Sequence, residues 1–234
     1  MSRVPPPATT TTPELAPLLE HAERAMGYLP NDVLSLCHWP ELLQTLGGLV
    51  NTVLQTGEVD PTLKRLIGII SSRTQGCTYC TAHSSFGANQ LGVEAEKIAA
   101  VFEFETSPLF TDAEQAVLRV AWHGALLPNA VTDEDMEALK AHFSDREIVE
   151  IVAVLSLYGF LNRWNGTLNT ELEAPPAAFA AFMPEKIRIN GSPGHDSPAV
   201  VALPLASCPR PPAPFQSAPR GFHCRGLSRR CCPI

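Results

Sequence analysis

The sequence predicts an all-α protein, and three observations lead to that prediction. Apolar residues recur at intervals of three and four in one segment after another, which is the spacing of helices buried on one face. No segment shows the alternation of apolar and polar residues that a half-buried strand requires. Helix-starting signals, such as a proline in the first turn or a Ser or Thr cap, precede the apolar segments. Together they predict a bundle of about eight helices.

Four helices are predicted before the first cysteine pair. Thr12 and Pro13 are a cap and a first-turn proline, and the apolar residues that follow them predict a helix ending near Gly27. Pro30 begins a short second helix and Pro40 begins a third. The fourth helix is predicted over residues 61–73, and its buried stripe consists of Leu63, Leu66, Ile67 and Ile70.

Five helices are predicted after Gly76. The first covers residues 77–91 and is followed by a short helix over residues 93–101. Acidic first turns predict two more helices, which begin near Thr111 and Thr132. Ser144 and Glu147 have the spacing of a capping box and predict the last long helix, after which residues 162–172 are expected to end the fold.

Composition divides the chain into three parts. Residues 1–12 are rich in Pro and Thr and are predicted to be disordered, and residues 13–182 form the predicted helical domain. Residues 183–234 form a Pro-rich tail, because 12 of the 22 prolines follow Glu173 and no apolar periodicity accompanies them. A disordered extension and a reading-frame artefact both fit the composition of this tail.

The charge balance excludes some classes of partner. The chain has a net charge of −7, and its first 173 residues carry 22 acidic and 10 basic side chains, so a nucleic-acid partner is not expected. No secretory signal and no membrane-spanning segment is apparent, which predicts a cytoplasmic protein without a membrane partner. In that compartment a Cys-x-x-Cys pair indicates redox or metal chemistry more than a structural disulfide.

The residues that carry chemistry are Cys77, Cys80 and His83. Their spacing of three places them on one face of a helix, with Cys80 between the other two. A thiolate is the reactive form of cysteine, and both the imidazole and the helix N-terminus favour it. Such a pair can reduce a peroxide, because one sulfur forms a sulfenic acid and the second condenses with it to a disulfide. These three residues are the predicted catalytic site.

Other interpretations of this cluster and other candidate residues are weaker. The pair could belong to a zinc site, although Cys37 is the one further cysteine of the compact domain, or it could be an inert buried pair. His123 and His38 are expected to pack rather than react. Three roles are open to the group Asn162–Asn165: capping helix ends, pairing with the acidic side chains of the domain, or lining the site. A structural role is favoured. No function is expected of the tail residues Cys208, Cys224, Cys231, Cys232 and His195.

Several stretches resemble one family. They are Lys64-Arg65-Leu66-Ile67, Ser71-Ser72-Arg73, Gly76–His83, Gly27–Asn31 and Phe160–Asn165. They are similar to the carboxymuconolactone decarboxylase and alkyl hydroperoxidase D family, above all to its peroxidase-related branch, over residues 14–180. The resemblance implies an all-α homo-oligomer without a bound cofactor or metal. It also implies a peroxiredoxin-type peroxidase that uses a peroxide substrate and an external dithiol or thiol reductant, with Cys80 peroxidatic and Cys77 resolving.

The sequence departs from alkyl hydroperoxidase D at two positions. The histidine of that enzyme follows the second cysteine by four positions, where this chain has Ser84, and His83 comes one position earlier. The relay glutamate of that enzyme corresponds to Arg65, which cannot transfer a proton as a carboxylate does. Two alternatives therefore accompany the peroxidase hypothesis: a dithiol–disulfide oxidoreductase or redox sensor with little peroxide turnover, and a non-catalytic helical scaffold.

Overall fold

The computed structural model describes residues 1–8 and 12–183, and it confirms the all-α prediction for them. Within these ranges there are ten α-helices, one short 3-10 helix (Ala100–Glu103) and no strand. The α-helices are α1 (Ala16–Met26), α2 (Asn31–Leu36), α3 (Pro40–Gln55), α4 (Pro61–Thr74), α5 (Thr78–Gln90), α6 (Ala95–Ala99), α7 (Asp112–Ala125), α8 (Asp133–Lys140), α9 (Asp145–Leu168) and α10 (Ala174–Phe182).

Side-chain caps confirm the predicted starts of four helices. Thr111, Thr132 and Ser144 each accept a hydrogen bond from the backbone N–H three residues later, in a complete capping box. Asp60 caps α4 by accepting from the N–H of Thr62. The first helix begins later than predicted, at Ala16, because the segment from Thr12 forms a preceding turn.

The end of the fold differs from the prediction. Residues 162–168 are the last turns of α9, which ends at Asn169 in the left-handed conformation (φ 52°). A further helix, α10, follows and packs against α5, although the sequence analysis found no apolar periodicity after Glu173. The reason is that α10 consists mainly of small and apolar residues, which show no stripe yet still bury one side. The predicted tail, residues 183–234, lies almost entirely outside the described residues.

Helix α4 is the centre of the core and contacts α5, α7 and α9. Its central turns are buried on every face, which is why Ile67, Ile69 and Ser71 are all inaccessible to solvent. Gly68 permits the close approach of α9, since a Cβ atom there would overlap the ring of Tyr158. Helix α5, which carries the predicted site, is thus held against a rigid, fully packed element.

A buried ion pair joins α3, α4 and α9. The Lys64 ammonium donates to the carbonyl oxygens of Val53 (2.9 Å) and Thr56 (2.5 Å) at the end of α3, and lies 3.4 Å from the Glu150 carboxylate. Glu150 also accepts the N–H groups of Glu58 and Val59. Burial alone would raise the pKa of Glu150, but these N–H groups and Lys64 outweigh it and lower that pKa.

Polar contacts attach the N-terminal segment to the helical domain. Residues 1–8 contact the end of α9: the Arg3 N–H donates to the Leu168 carbonyl (2.8 Å), and the Met1 ammonium pairs with Glu171 (3.0 Å).

Within the described ranges, no helix combines the length and apolar character needed to cross a bilayer. The three-part division of the chain and the homo-oligomer stay predictions.

We predict that Lys64→Met destabilises the protein by about 2 kcal/mol, because it removes the buried ammonium from Glu150 and from the Val53 and Thr56 carbonyl oxygens. The more exposed Arg146, which lies 3.1 Å from Glu150, remains as a second partner of the carboxylate. The measurement is urea unfolding followed by circular dichroism. Lys140→Met is the matched control, since the Lys140–Glu137 pair is solvent-exposed and its loss should leave the midpoint unchanged. A Lys64→Met midpoint equal to that of the control would contradict the structural role of the buried pair.

Candidate active site

The two predicted site cysteines lie at the first turn of α5. Gly76 has a positive φ (72°), which L-residues with side chains rarely adopt, and it turns the chain from α4 into α5. Cys77 is the N-cap of α5, and its sulfur accepts the backbone N–H of Cys80 at 3.4 Å. Both side chains are buried and both are free thiols, one helical turn apart. A thiol therefore occupies the position where helices usually place Ser, Thr or Asp.

A cavity of about 710 Å³ borders this turn. Cys80, His83 and Ser84 of α5 line it, whereas Cys77 is not among the lining residues. Its other walls come mainly from α1, α2 and α3 and are largely apolar. The apolar lining residues include Leu18, Met26, Val33, Leu36, Leu43, Leu46, Leu54 and Leu161. Of the two sulfurs, Cys80 is thus the one that a molecule in the cavity can reach.

His83 is held from both ring nitrogens. Its Nε2 lies 2.6 Å from the Glu173 carboxylate, and its Nδ1 lies 3.1 Å from the Tyr28 hydroxyl. The imidazole also stacks on the Tyr79 ring, with 4.2 Å between the centroids. These contacts fix the ring at the cavity wall. No hydrogen bond joins His83 to Cys80, so the predicted face is shared, but the imidazole points to Glu173 rather than to the thiol.

Glu173 is the residue that the sequence analysis missed. It is the N-cap of α10, and its carboxylate accepts hydrogen bonds from the Tyr79 hydroxyl (2.8 Å) and the Asn31 N–H. Burial raises the pKa of Glu173, but the hydrogen bond and charge of His83 and the Asn31 N–H outweigh burial and lower it. Glu173 is therefore an anion that orients His83. The one sequence signal for it is an acidic residue directly before the helix-starting Ala174-Pro175-Pro176.

Asn165 connects Cys80 with a second carboxyl group. Its Nδ2 lies 3.4 Å from the Cys80 sulfur and 3.4 Å from Asp32 Oδ2, and donates to both. Asp32 lines the cavity, and burial raises the pKa of its carboxyl group. The Asn162–Asn165 group thus contributes one residue to the site, while Trp164 donates to Ser35 and Asn162 donates to Gln75, both in packing roles.

The two thiols have pKa values that are shifted in opposite directions. The pKa of Cys77 is lowered, because its sulfur accepts from the Cys80 thiol and from backbone N–H groups at the start of α5. The pKa of Cys80 is raised, because its thiol donates to Cys77 and is buried. The first negative charge of the pair therefore belongs on Cys77, with the Cys80 thiol as its donor.

Comparisons with known proteins agree with this fold. The sequence model of the carboxymuconolactone decarboxylase family matches residues 40–122. A crystal structure of the debrominase Bmp8 is 34% identical, with a TM-score of 0.70 over 75% of this chain and 95% of that chain. The chain belongs to the carboxymuconolactone decarboxylase family. The same debrominase was solved as a cysteine-to-alanine variant in complex with 2,3,4-tribromopyrrole, at 32% identity and a TM-score of 0.72.

Two further relatives extend the comparison. A peroxidase-related protein with an alkylhydroperoxidase AhpD core, from Ralstonia eutropha, is 22% identical with a TM-score of 0.66, and it covers 75% of this chain and 94% of its own. At that identity it supports the fold alone. The uncharacterized protein YnjA of Escherichia coli is 27% identical over 128 residues, which are 55% of this chain and 68% of that protein.

The remaining predicted candidates lie apart from the site. His123 Nδ1 lies 2.7 Å from Asp135, and His38 Nε2 lies 2.9 Å from the Pro5 carbonyl. Cys37 donates to the Val33 carbonyl and does not line the cavity. Across residues 1–8 and 12–183, His, Cys, Asp and Glu side chains nowhere gather in a group of three or more suited to a metal ion. The tail cysteines and His195 lie outside the described residues.

We predict that the first thiol of the pair ionises at lower pH than an ordinary cysteine, and that Cys80→Ala raises this midpoint. The reason is that the variant removes the S–H donor that most lowers the pKa of Cys77. The measurement is the ultraviolet absorbance of the thiolate across a pH titration of the reduced protein. Cys37→Ala is the control and should leave the first midpoint in place. An unchanged midpoint in Cys80→Ala would show that no charge is shared between the two sulfurs.

Proposed function

We propose that this protein is a thiol-dependent peroxidase that reduces organic hydroperoxides with the Cys77–Cys80 pair. One observation carries the proposal: Cys80 faces the cavity, and a second thiol lies one helical turn behind it. The catalytic residues are Cys80, Cys77 and His83, and Glu173 orients the histidine. No protein-bound cofactor or metal is required, because the dithiol itself supplies the two electrons.

The first step oxidises Cys80. Its sulfur forms a bond to the terminal oxygen of the hydroperoxide, the O–O bond breaks, and Cys80 becomes a sulfenic acid. Cys80 first transfers its thiol proton to the Cys77 thiolate, so that it attacks as a thiolate. The same proton then passes from Cys77 to the departing alkoxide, which leaves as an alcohol, and Cys77 is a thiolate again. Asn165 supports this step, because its amide N–H groups stabilise negative charge on the Cys80 sulfur.

The second step forms the disulfide. The Cys77 thiolate attacks the sulfur of the sulfenic acid and expels hydroxide, which takes up a proton to become water. Cys77 is suited to this role because the start of α5 stabilises its negative charge once Cys80 has reacted. An external dithiol then reduces the disulfide, with both electrons passing to the protein, and the two thiols are restored.

His83 and Glu173 manage the protons of these steps. The imidazole lies on the cavity wall that Cys80 also lines, and the anionic Glu173 holds it in one orientation, so that it can pass protons to and from the cavity. Glu173 thus performs the role for which Arg65 is unsuited. The Asp32 carboxyl group, whose pKa is raised, lies on the same wall as a second proton store.

The cavity indicates the size of the substrate. A volume of about 710 Å³ with mainly apolar walls is typical of sites for drug-sized organic molecules, and it is far larger than hydrogen peroxide needs. We therefore infer that organic hydroperoxides are better substrates than hydrogen peroxide, because the apolar body adds binding energy that holds the O–O bond next to Cys80.

Reductive dehalogenation is the second candidate. It is favoured by the similarity to a debrominase that was solved with a brominated pyrrole. The same dithiol chemistry balances this reaction: a ring C–Br becomes C–H, bromide and a proton are released, and the two thiols become a disulfide. Bromide release from a bromopyrrole, without peroxide, distinguishes this activity from the first.

We predict that the reduced protein consumes cumene hydroperoxide faster than hydrogen peroxide, and that Cys80→Ser abolishes the reaction with both because the attacking sulfur is gone. The measurement is stopped-flow peroxide consumption with dithiothreitol as the reductant. Cys37→Ser is the matched control and should react as the wild type does. If Cys80→Ser retains full activity, Cys80 has no role in the reaction. If the pair cycles with the dithiol but does not consume peroxide, the protein is a dithiol–disulfide oxidoreductase or redox sensor instead.

We predict that Glu173→Gln lowers the rate of peroxide reduction about 100-fold, because the neutral amide no longer holds the imidazole of His83 in one orientation through a charged hydrogen bond. Glu171→Gln is the control: this neighbouring acid pairs with the N-terminal ammonium and lies away from the cavity. Circular dichroism verifies that both variants fold. A Glu173→Gln rate equal to that of Glu171→Gln would remove the carboxylate from the mechanism.

A further inference from the structure

Arg65 is a cation without an anionic partner in the cavity wall. Its side chain is half-buried and lines the apolar cavity. Within the described part of the chain, no carboxylate lies at salt-bridge distance from its guanidinium, and no hydrogen bond reaches it. Its neighbour Lys64 pairs with Glu150, and Lys97 pairs with Glu114. A charge beside apolar surface is costly unless it is paired, so this guanidinium is poised to bind an anion.

Gly87 leaves space on α5 for the guanidinium of Arg65. A Cβ atom at Gly87 would stand 3.2 Å from Arg65 Cζ and Nε, so the missing side chain leaves room for the arginine on α5. Gly87 follows Cys80 by seven residues, which is two helical turns on the same face and a distance of about 10 Å. The guanidinium of Arg65, a residue of α4, therefore contacts α5 two turns beyond the Cys80 position.

A second unpartnered group lies between them. The Ser84 hydroxyl is buried, lines the cavity, and has no hydrogen-bond partner among the described residues. It follows Cys80 by one helical turn and precedes Gly87 by three residues. The hydroxyl groups of Ser71, Ser72 and Ser85 are also buried without a partner among the described residues, but of these four serines Ser84 alone lines the cavity. Because buried hydroxyl groups usually have a partner, Ser84 is the one of the four that a polar ligand in the cavity can satisfy.

We propose that the cavity binds an amphipathic organic anion, with its carboxylate on Arg65, its apolar chain or ring against α1 and α3, and its reacting group about 10 Å away at Cys80. The Ser84 hydroxyl donates to an oxygen of the same ligand. The binding of the anion stands on the Arg65 and Ser84 geometry alone. The statement that the reacting group meets Cys80 rests on the proposed function.

An alternative role for Arg65 is to stabilise the thiolate directly. The geometry disfavours it, because the guanidinium lies over Gly87, two turns beyond the cysteine pair. The groups that shift the pKa of Cys77 and Cys80 are the two sulfurs themselves, backbone N–H groups, Asn165 and Asp32. A ligand-binding role accounts for both the position of Arg65 and its lack of a partner.

The test compares the binding of decanoate and 1-decanol to the reduced full-length protein by isothermal titration calorimetry. The two ligands share one apolar chain and differ in charge, so their affinity ratio isolates the anion site. We expect the wild type to bind decanoate about tenfold or more tightly than decanol. We expect Arg65→Met to lose this preference, Arg65→Lys to keep part of it, and Arg65→Glu to prefer decylamine instead.

Arg73→Met is the matched control, because Arg73 lies on the same helix and does not line the cavity, and it should keep the decanoate preference. Equal affinity of the wild type for the two ligands, no binding of either, or a preference that persists in Arg65→Met each overturns the proposal. If Arg65→Met does not fold, the charge-reversed Arg65→Glu variant tests the same site independently, and a retained decanoate preference there overturns the proposal as well. The binding measurement uses no peroxide, so failure of the peroxidase proposal would leave this result unaffected and the two fail separately.

Discussion

The arrangement of the site depends on one carboxylate. Glu173 binds His83 and Tyr79 of α5 through their side chains and Asn31 of α2 through its backbone N–H, and it begins α10 itself. Three separate elements thus meet at two oxygen atoms. Because these hydrogen bonds to the charged form outweigh the cost of burial, the carboxylate remains an anion and the imidazole has one fixed orientation. Without it, His83 would share a helix with the cysteines but would lack the carboxylate contact that fixes its ring.

The cysteine pair is asymmetric because of its position on the helix. Cys77 lies outside the first turn of α5, where backbone N–H groups are unpaired, and these groups stabilise a thiolate there. Cys80 lies one turn further along, where it is buried against Asn165 and open to the cavity. The sulfur with the lowered pKa is therefore not the sulfur that lines the cavity.

The packing of the surrounding helices holds the site residues in place. Helix α4 is packed on all sides, and the Lys64–Glu150 pair ties its first turn to the end of α3 and to α9. The cavity walls from α1 and α3 carry mostly apolar side chains, so electrostatic interactions at Cys80, His83 and Arg65 are screened less than they would be in water. The same helical fold is present in a debrominase and in a peroxidase-related protein, so the fold alone does not specify the reaction.

The sequence by itself determined the helices, their starts and the cysteine pair, because capping, periodicity and a three-residue spacing are local properties. It also indicated that Arg65 cannot relay a proton. Only the tertiary structure showed that a carboxylate lies beside His83, since Glu173 is 90 residues away along the chain and no local pattern links the two. The same holds for Asn165 beside Cys80 and for the cavity that exposes one sulfur of the pair. Contacts between distant segments arise from packing, which one-dimensional patterns do not encode.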